Sequence, residues 1–136
     1  MKVVIDVEAN ALHNPSKIWV IVCKDIDTGK HYVFRKPTED VGERKSLCDF
    51  WSGISLIIGH NYLGYDWPVL ERLLGLAYKP CLDTLILSKL IDYPRQGHSI
   101  EDYGLGFNYP KIKFTDFSKW SQELEDIAEY VPYVMV

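Results

Sequence analysis

Ile5-Asp6-Val7-Glu8 sets two carboxylates two residues apart in an otherwise apolar, β-branched run. On an extended strand that spacing puts both on one side. Two like charges at the tip of a buried strand repel and resist desolvation. A divalent cation between them reverses that cost; alternatively the strand has already left the core and both acids are solvated. A third acid, Asp66, closes Tyr62-Leu63-Gly64-Tyr65-Asp66, just after the apolar run Leu56-Ile57-Ile58-Gly59 and the polar pair His60-Asn61. An acid opening a helix is favourable on its own account. The same layout also brings a third carboxylate beside the tip of the first strand, and carboxylate oxygens are what hard cations such as Mg²⁺ take.

These acids need elements to position them. Lys2–Val7, Ile18–Lys24 and Lys30–Arg35 read as strands, the last two joined by the Asp27-Thr28-Gly29 turn, which makes a three-strand antiparallel meander. Asn10–Ser16 reads as a loop. Glu43–Trp51 reads as a helix and Ile54–Gly59 as a further buried strand. Helices are expected from Asp66 to Leu74, stopped by Gly75, and over Asp83–Ile91. Ser99, with Asp102 three residues on, is an N-cap. A last helix is expected from Asp116 to Val131, with Trp120, Leu124, Ile127, Ala128 and Val131 as its buried stripe. The order predicts an α/β domain with a mixed sheet and helices on its faces.

The 136 residues suit one domain, 1–136, and 47% of them are apolar, enough for a core without staples. The net charge is −4 and no Lys/Arg run exists, which argues against a protein that coats nucleic acid by charge alone. Cys23, Cys48 and Cys81 form no CxxC pair, so a zinc site or disulfide framework is not expected, and a reducing compartment fits. The apolar N-terminal stretch is too short for a signal peptide, and none approaches the roughly 20 residues of a membrane span. Residence in the cytoplasm, a host cell's if the source is a phage, is the expectation.

Asp6-Val7-Glu8-Ala9-Asn10 and Gly59-His60-Asn61 through Tyr65-Asp66-Trp67-Pro68-Val69-Leu70 resemble the first and second motifs of the DEDD exonucleases, most of all the 3′→5′ proofreading domain of phage family A DNA polymerases. Asp83-Thr84-Leu85-Ile86-Leu87-Ser88-Lys89-Leu90, His98-Ser99-Ile100-Glu101 with Gly104, and Phe114–Tyr130 extend the likeness over nearly the whole chain. The resemblance implies a ribonuclease-H-like fold and phosphodiester hydrolysis with two Mg²⁺ or Mn²⁺ ions. It makes Asp6 the residue that bridges the metals, Glu8 the ligand of one, and Asp66 the support of the other. It implies a single-stranded DNA 3′ end as substrate and a DNA polymerase domain or subunit as partner. Ala9, Asn10, Leu12, His60, Asn61 and Tyr65 become candidate substrate-binding residues.

The chain departs from the pattern at its third motif, Tyr-x-x-x-Asp, where the Tyr orients the attacking water and the Asp is the fourth ligand. Tyr130 matches the Tyr, but Val134 stands where the Asp belongs, and Pro132 removes a helical hydrogen bond between them. Tyr130 is then either catalytic or a helix tyrosine packed on the sheet. The readings left open are an altered or truncated exonuclease, a small nuclease that completes its site another way, and a degenerate domain that binds a DNA 3′ end or a polymerase without cutting. Tyr62, Tyr65 and Trp67 suit base stacking or core packing. His60 and Asn61 suit hydrogen bonds that fix their loop. His13 suits an ordinary loop position, Lys111 and Lys113 a solvated face, and Asp83 a structural place at a helix start.

Overall fold

The computed structural model describes residues 1–107 together with Ser118 and Ala128. Five strands form one mixed sheet: β1 (Lys2–Ala9), β2 (Ile18–Asp25), β3 (His31–Arg35), β4 (Leu56–Gly59) and β5 (Cys81–Asp83), in the spatial order β3-β2-β1-β4-β5. β1, β2 and β3 are the antiparallel meander anticipated from the sequence. β4 then crosses to the other side of β1 and runs parallel to it, pairing Lys2 with Leu56, Val3 with Ile57 and Val4 with Ile58.

The strand β5 was not anticipated. A helix was expected to begin at Asp83; instead Cys81–Asp83 pairs parallel with Ile57–Gly59, and the helix α3 starts one residue later, spanning Thr84–Ile91. Three residues are too few to show a period, and the helical spacing beyond them masks the strand. β4 is likewise shorter than expected, because Ile54 is buried ahead of the pairing.

Two helices cover one face. α1 (Val41–Ser52) is capped by the Asp40 side chain, which accepts from the Glu43 N–H at 3.0 Å. α2 (Trp67–Leu74) ends at Gly75, whose φ of +63° closes the helix in the left-handed region. Leu47 and Trp51 of α1 and Val69, Leu70 and Leu74 of α2 pack with Val3, Ile5, Val7, Ile21, Cys23 and Ile57 of the sheet. The other face holds Val20 and Val22, which pack with Val33 and with Ala128; Ala128 is helical and fully buried, Ser118 is an exposed bend where the last helix was expected, and the rest of that expected helix lies outside the described residues. α4 (Ile100–Gly106) carries the anticipated Ser99–Asp102 capping box. Among the described residues no helix is long and apolar enough to cross a membrane.

Candidate active site

The alternation of β1 separates its two kinds of side chain. Val3, Ile5 and Val7 enter the core, while Asp6 and Glu8 are half-buried on the opposite face. The β1–β2 register sets Asp6 opposite Val22 and Glu8 opposite Val20. Directly paired residues share a face, and those same two valines pack on Ala128. The helical residue nearest the third-motif segment thus covers the face that carries Asp6 and Glu8. Between Glu8 and Ala9 the pairing register shifts, a bulge that twists the strand end as it leaves the sheet.

The third acid arrives by a different device. After β4, Asn61 adopts φ +54° and the chain enters a short π-helical turn, Tyr62–Asp66, that runs straight into α2. Such turns are rare and concentrate at functional sites. Gly59 permits this one, since a Cβ there would meet the Tyr62 Cβ at 2.9 Å; one on Gly64 would press on the movable end of the Asn61 side chain. Asp66 lies at the helix start as expected, yet its side chain caps nothing. It is 6% exposed. Burial first, then the Glu8 and Asp83 carboxylates, hold its carboxyl well above the usual carboxylate range. Its position is therefore not explained by helix capping.

Asp83 anchors the turn. Its Oδ1 accepts from the Asn61 N–H at 3.0 Å and from the Leu85 N–H at 2.9 Å, and its Oδ2 accepts from the Leu63 N–H at 3.0 Å. The structural place foreseen for it at a helix start is correct, but the larger part of its role is the turn 22 residues upstream. The N-cap pattern Asp83-Thr84 was legible in the sequence; the reach to Asn61 and Leu63 was not, since it depends on the unanticipated β5.

The proposed substrate residues divide. Ala9, Leu12 and Tyr65 join Glu8 around a cavity of 350 Å³. The Tyr65 hydroxyl donates to the Ala11 carbonyl at 2.7 Å, which ties the π-helical turn to the loop after β1. Burial, then Asp66, Glu8 and Asp6 in turn, push that phenol up to about 12, so Tyr65 feels all three carboxylates. Asn10 instead organises its own loop, donating to the Ser16 Oγ and accepting from the Ser16 and Lys17 N–H groups. His60 turns away to a separate cavity near α3 and α4, its Nδ1 2.9 Å from the Thr84 Oγ1. Tyr62 is fully buried in the core and Trp67 packs against it, the packing alternative for both. Tyr130, Pro132 and Val134 lie outside the described residues.

The donor set suits a hard divalent cation. Asp66 is buried among like charges, a cost that a cation removes, and carboxylate oxygen is the matching ligand. Asp83 already accepts from three backbone N–H groups, which commits most of its carboxylate to the turn and the helix start. Among the described residues no three His, Cys, Asp or Glu side chains form a group that could hold a metal ion, so Asp6, Glu8 and Asp66 make no preformed ligand shell as they stand.

No family model matches the chain, and no curated protein does. Solved structures do. NrnC of Brucella melitensis, a structure with bound Mg²⁺, superposes with a TM-score of 0.71 at 24% identity over 98% of this chain and 68% of that one. The family B DNA polymerase of the archaeon Pyrobaculum calidifontis gives 0.69 at 14% identity, over 98% of this chain and 24% of the polymerase. Exonuclease X in complex with 5′-overhanging duplex DNA gives 0.54 at 15% identity over the whole of both chains. The fold is the α/β, ribonuclease-H-like fold of these nucleases.

Proposed function

We propose that this chain is a metal-dependent 3′→5′ exonuclease acting on single-stranded DNA ends. The observation that carries the reading is Asp66, buried beside Glu8 at the carboxyl end of β1 with no capping role to explain it. Asp6 and Glu8 from β1 and Asp66 from the π-helical turn would hold Mg²⁺ or Mn²⁺. Two such ions, when bound, activate water and stabilise the leaving 3′ oxygen. Glu8, Ala9, Leu12 and Tyr65 wall the cavity for the terminal nucleoside, and the bond from Tyr65 to Ala11 fixes that wall in place. Tyr130, two residues beyond Ala128, is the residue assigned to orient the attacking water. The bound Mg²⁺ of NrnC and the DNA on exonuclease X support the metal and the substrate class. By the resemblance of its motifs, the activity is of the proofreading kind and serves a phage DNA polymerase. The archaeal polymerase, which matches over 24% of its length, offers a parallel for such an arrangement.

Val134 and Pro132 favour a second reading, a degenerate module that grips a 3′ end without cutting. A 5′-labelled single strand incubated with Mg²⁺ or Mn²⁺ separates the two. Shortening from the 3′ end that disappears in Asp6→Ala supports the enzyme. Binding without shortening in either metal supports the module.

A further inference from the structure

A second cavity, of 260 Å³, adjoins the one beside Glu8, and Leu12 and Tyr65 line both. The two differ in charge: Glu8 lines the first, whereas the described residues lining the second include no acid and two basic ones, His13 and Arg72. We infer that this second cavity holds an internucleotide phosphate of the substrate strand, one linkage to the 5′ side of the bond that is cut, with Arg72 as its principal donor. The inference rests on the reading of the first cavity as the seat of the terminal nucleoside.

The cavity is built by three ties that hold the loop between β1 and β2 against the π-helical turn and α2. Asn10 closes the loop on Ser16 and Lys17, Tyr65 bonds the Ala11 carbonyl, and the Arg72 Nη2 donates to the Pro15 carbonyl. That last bond positions the guanidinium and leaves most of its five N–H donors for a ligand. A planar fork of donors matches the oxygens of a phosphate. The protein's net charge of −4 gives it no general attraction for a polyanion, so a strand phosphate needs a local donor. Arg72, across the Leu12–Tyr65 wall, supplies one a nucleotide away from the acids. Leu12, 74% exposed between the two cavities, supplies an apolar edge between neighbouring bases.

The test uses the whole chain and a fluorescein-labelled oligothymidine, with Ca²⁺ replacing Mg²⁺ so that the strand survives during binding. The phosphate one linkage 5′ of the last bond is either ordinary or a neutral methylphosphonate. The neutral linkage should weaken binding about tenfold, the effect of ~1.4 kcal/mol. Arg72→Met should weaken binding of the ordinary strand by the same factor, lower the slope of log Kd against log salt by about 0.7, and be indifferent to the neutral linkage. Arg72→Lys should restore part of the loss. In Mg²⁺ or Mn²⁺ the same pattern should appear in KM, not in kcat. A wild-type chain that binds or cleaves both strands equally overturns the subsite and leaves the exonuclease reading intact, whatever Arg72→Met does to folding. Equal weakening of both strands by Arg72→Met also overturns it. A chain that neither binds nor cleaves any strand overturns the reading of the whole site.

Discussion

Removing the Asp83 carboxylate should uncouple the π-helical turn from the sheet. The side chain is 6% exposed and accepts three backbone N–H bonds of 2.9–3.0 Å. The bond to Leu85 is a helix cap, worth about 1 kcal/mol. Those to Asn61 and Leu63 are charge-assisted, each worth about 1.5–3 kcal/mol. The sum is about 4–7 kcal/mol, and water entering the gap returns part of it, so Asp83→Ala should cost roughly 3–5 kcal/mol. Asp83→Asn keeps one acceptor oxygen, which can serve Asn61 and Leu85, but sets an amide N–H against either those donors or that of Leu63; its cost should be about 2 kcal/mol. Urea unfolding gives both values from the midpoints at constant m. The charge makes a second, separable effect. Asp83 is among the groups that raise the Asp66 carboxyl, so in Asp83→Asn that carboxyl should titrate lower, as read by carbon-13 NMR of the metal-free protein. If Asp83→Ala falls within about 0.5 kcal/mol of the parent, the range of an ordinary surface change, the anchoring role is wrong.

Three further outcomes follow from the same region. The Tyr62 hydroxyl is buried with no hydrogen-bond partner among the described residues, so Tyr62→Phe should leave stability unchanged or raise it by about 1 kcal/mol; a loss of that size in urea unfolding would refute this. Gly59→Ala should cost about 1–3 kcal/mol, since its Cβ would meet the Tyr62 Cβ at 2.9 Å; a neutral result means that the π-helical turn yields readily. Burial, the largest influence on it, lowers the His60 imidazole below its ordinary 6.5. Just below that pH the unfolded chain binds a proton that the folded chain does not, so His60 makes stability rise with pH up to about 6.5. His60→Gln should flatten that part of a melting-temperature profile, and an unaltered slope would contradict the assignment.

The sequence made the carboxylates legible because their chemistry is local. The Asp6–Glu8 spacing needs only the period of a strand, and β1 does set both on one face, opposite Val22 and Val20. The adjacency of β1 and β4 followed from requiring Asp66 to meet them, and the parallel pairing of Val4 with Ile58 agrees. What sequence reasoning missed depends on contacts between distant segments. β5 is three residues long and flanked by a helical pattern, so it exists only because β4 offers an edge. No sequence pattern announces the π-helical turn, since it depends on a close approach at Gly59 that no period records. Asn10 sits beside the first motif, and its amide closes a hairpin loop onto Ser16 and Lys17, a tie that no local pattern announces.

The topology explains why Glu8 and Asp66 come near each other at this end of the sheet. The chain lays β2 and β3 on one side of β1, then crosses by α1 and lays β4 and β5 on the other. β1 and β4 are neighbours that point the same way, yet their carboxyl ends feed segments that diverge: β1 into the loop toward β2, β4 into the π-helical turn and α2. Segments leaving adjacent parallel strands in opposite directions open a crevice at those carboxyl ends, the general position of ligand sites in open α/β sheets. Glu8 is at the end of β1 and Asp66 follows the end of β4, so both border that crevice. The hydrogen bond from Tyr65 to Ala11 spans it, and the Asp83 carboxylate holds its far wall from the next parallel strand. The antiparallel side of β1 contributes differently: Val20 and Val22 bring Ala128 onto the face of Asp6 and Glu8. An insertion in the Asn10–Lys17 loop should therefore disturb the crevice more than one in the Asp27–Gly29 turn at the opposite end of β2, a contrast that DNA binding by the two variants measures directly. Equal loss from both insertions would mean that the strand does not enter between the ends of β1 and β4.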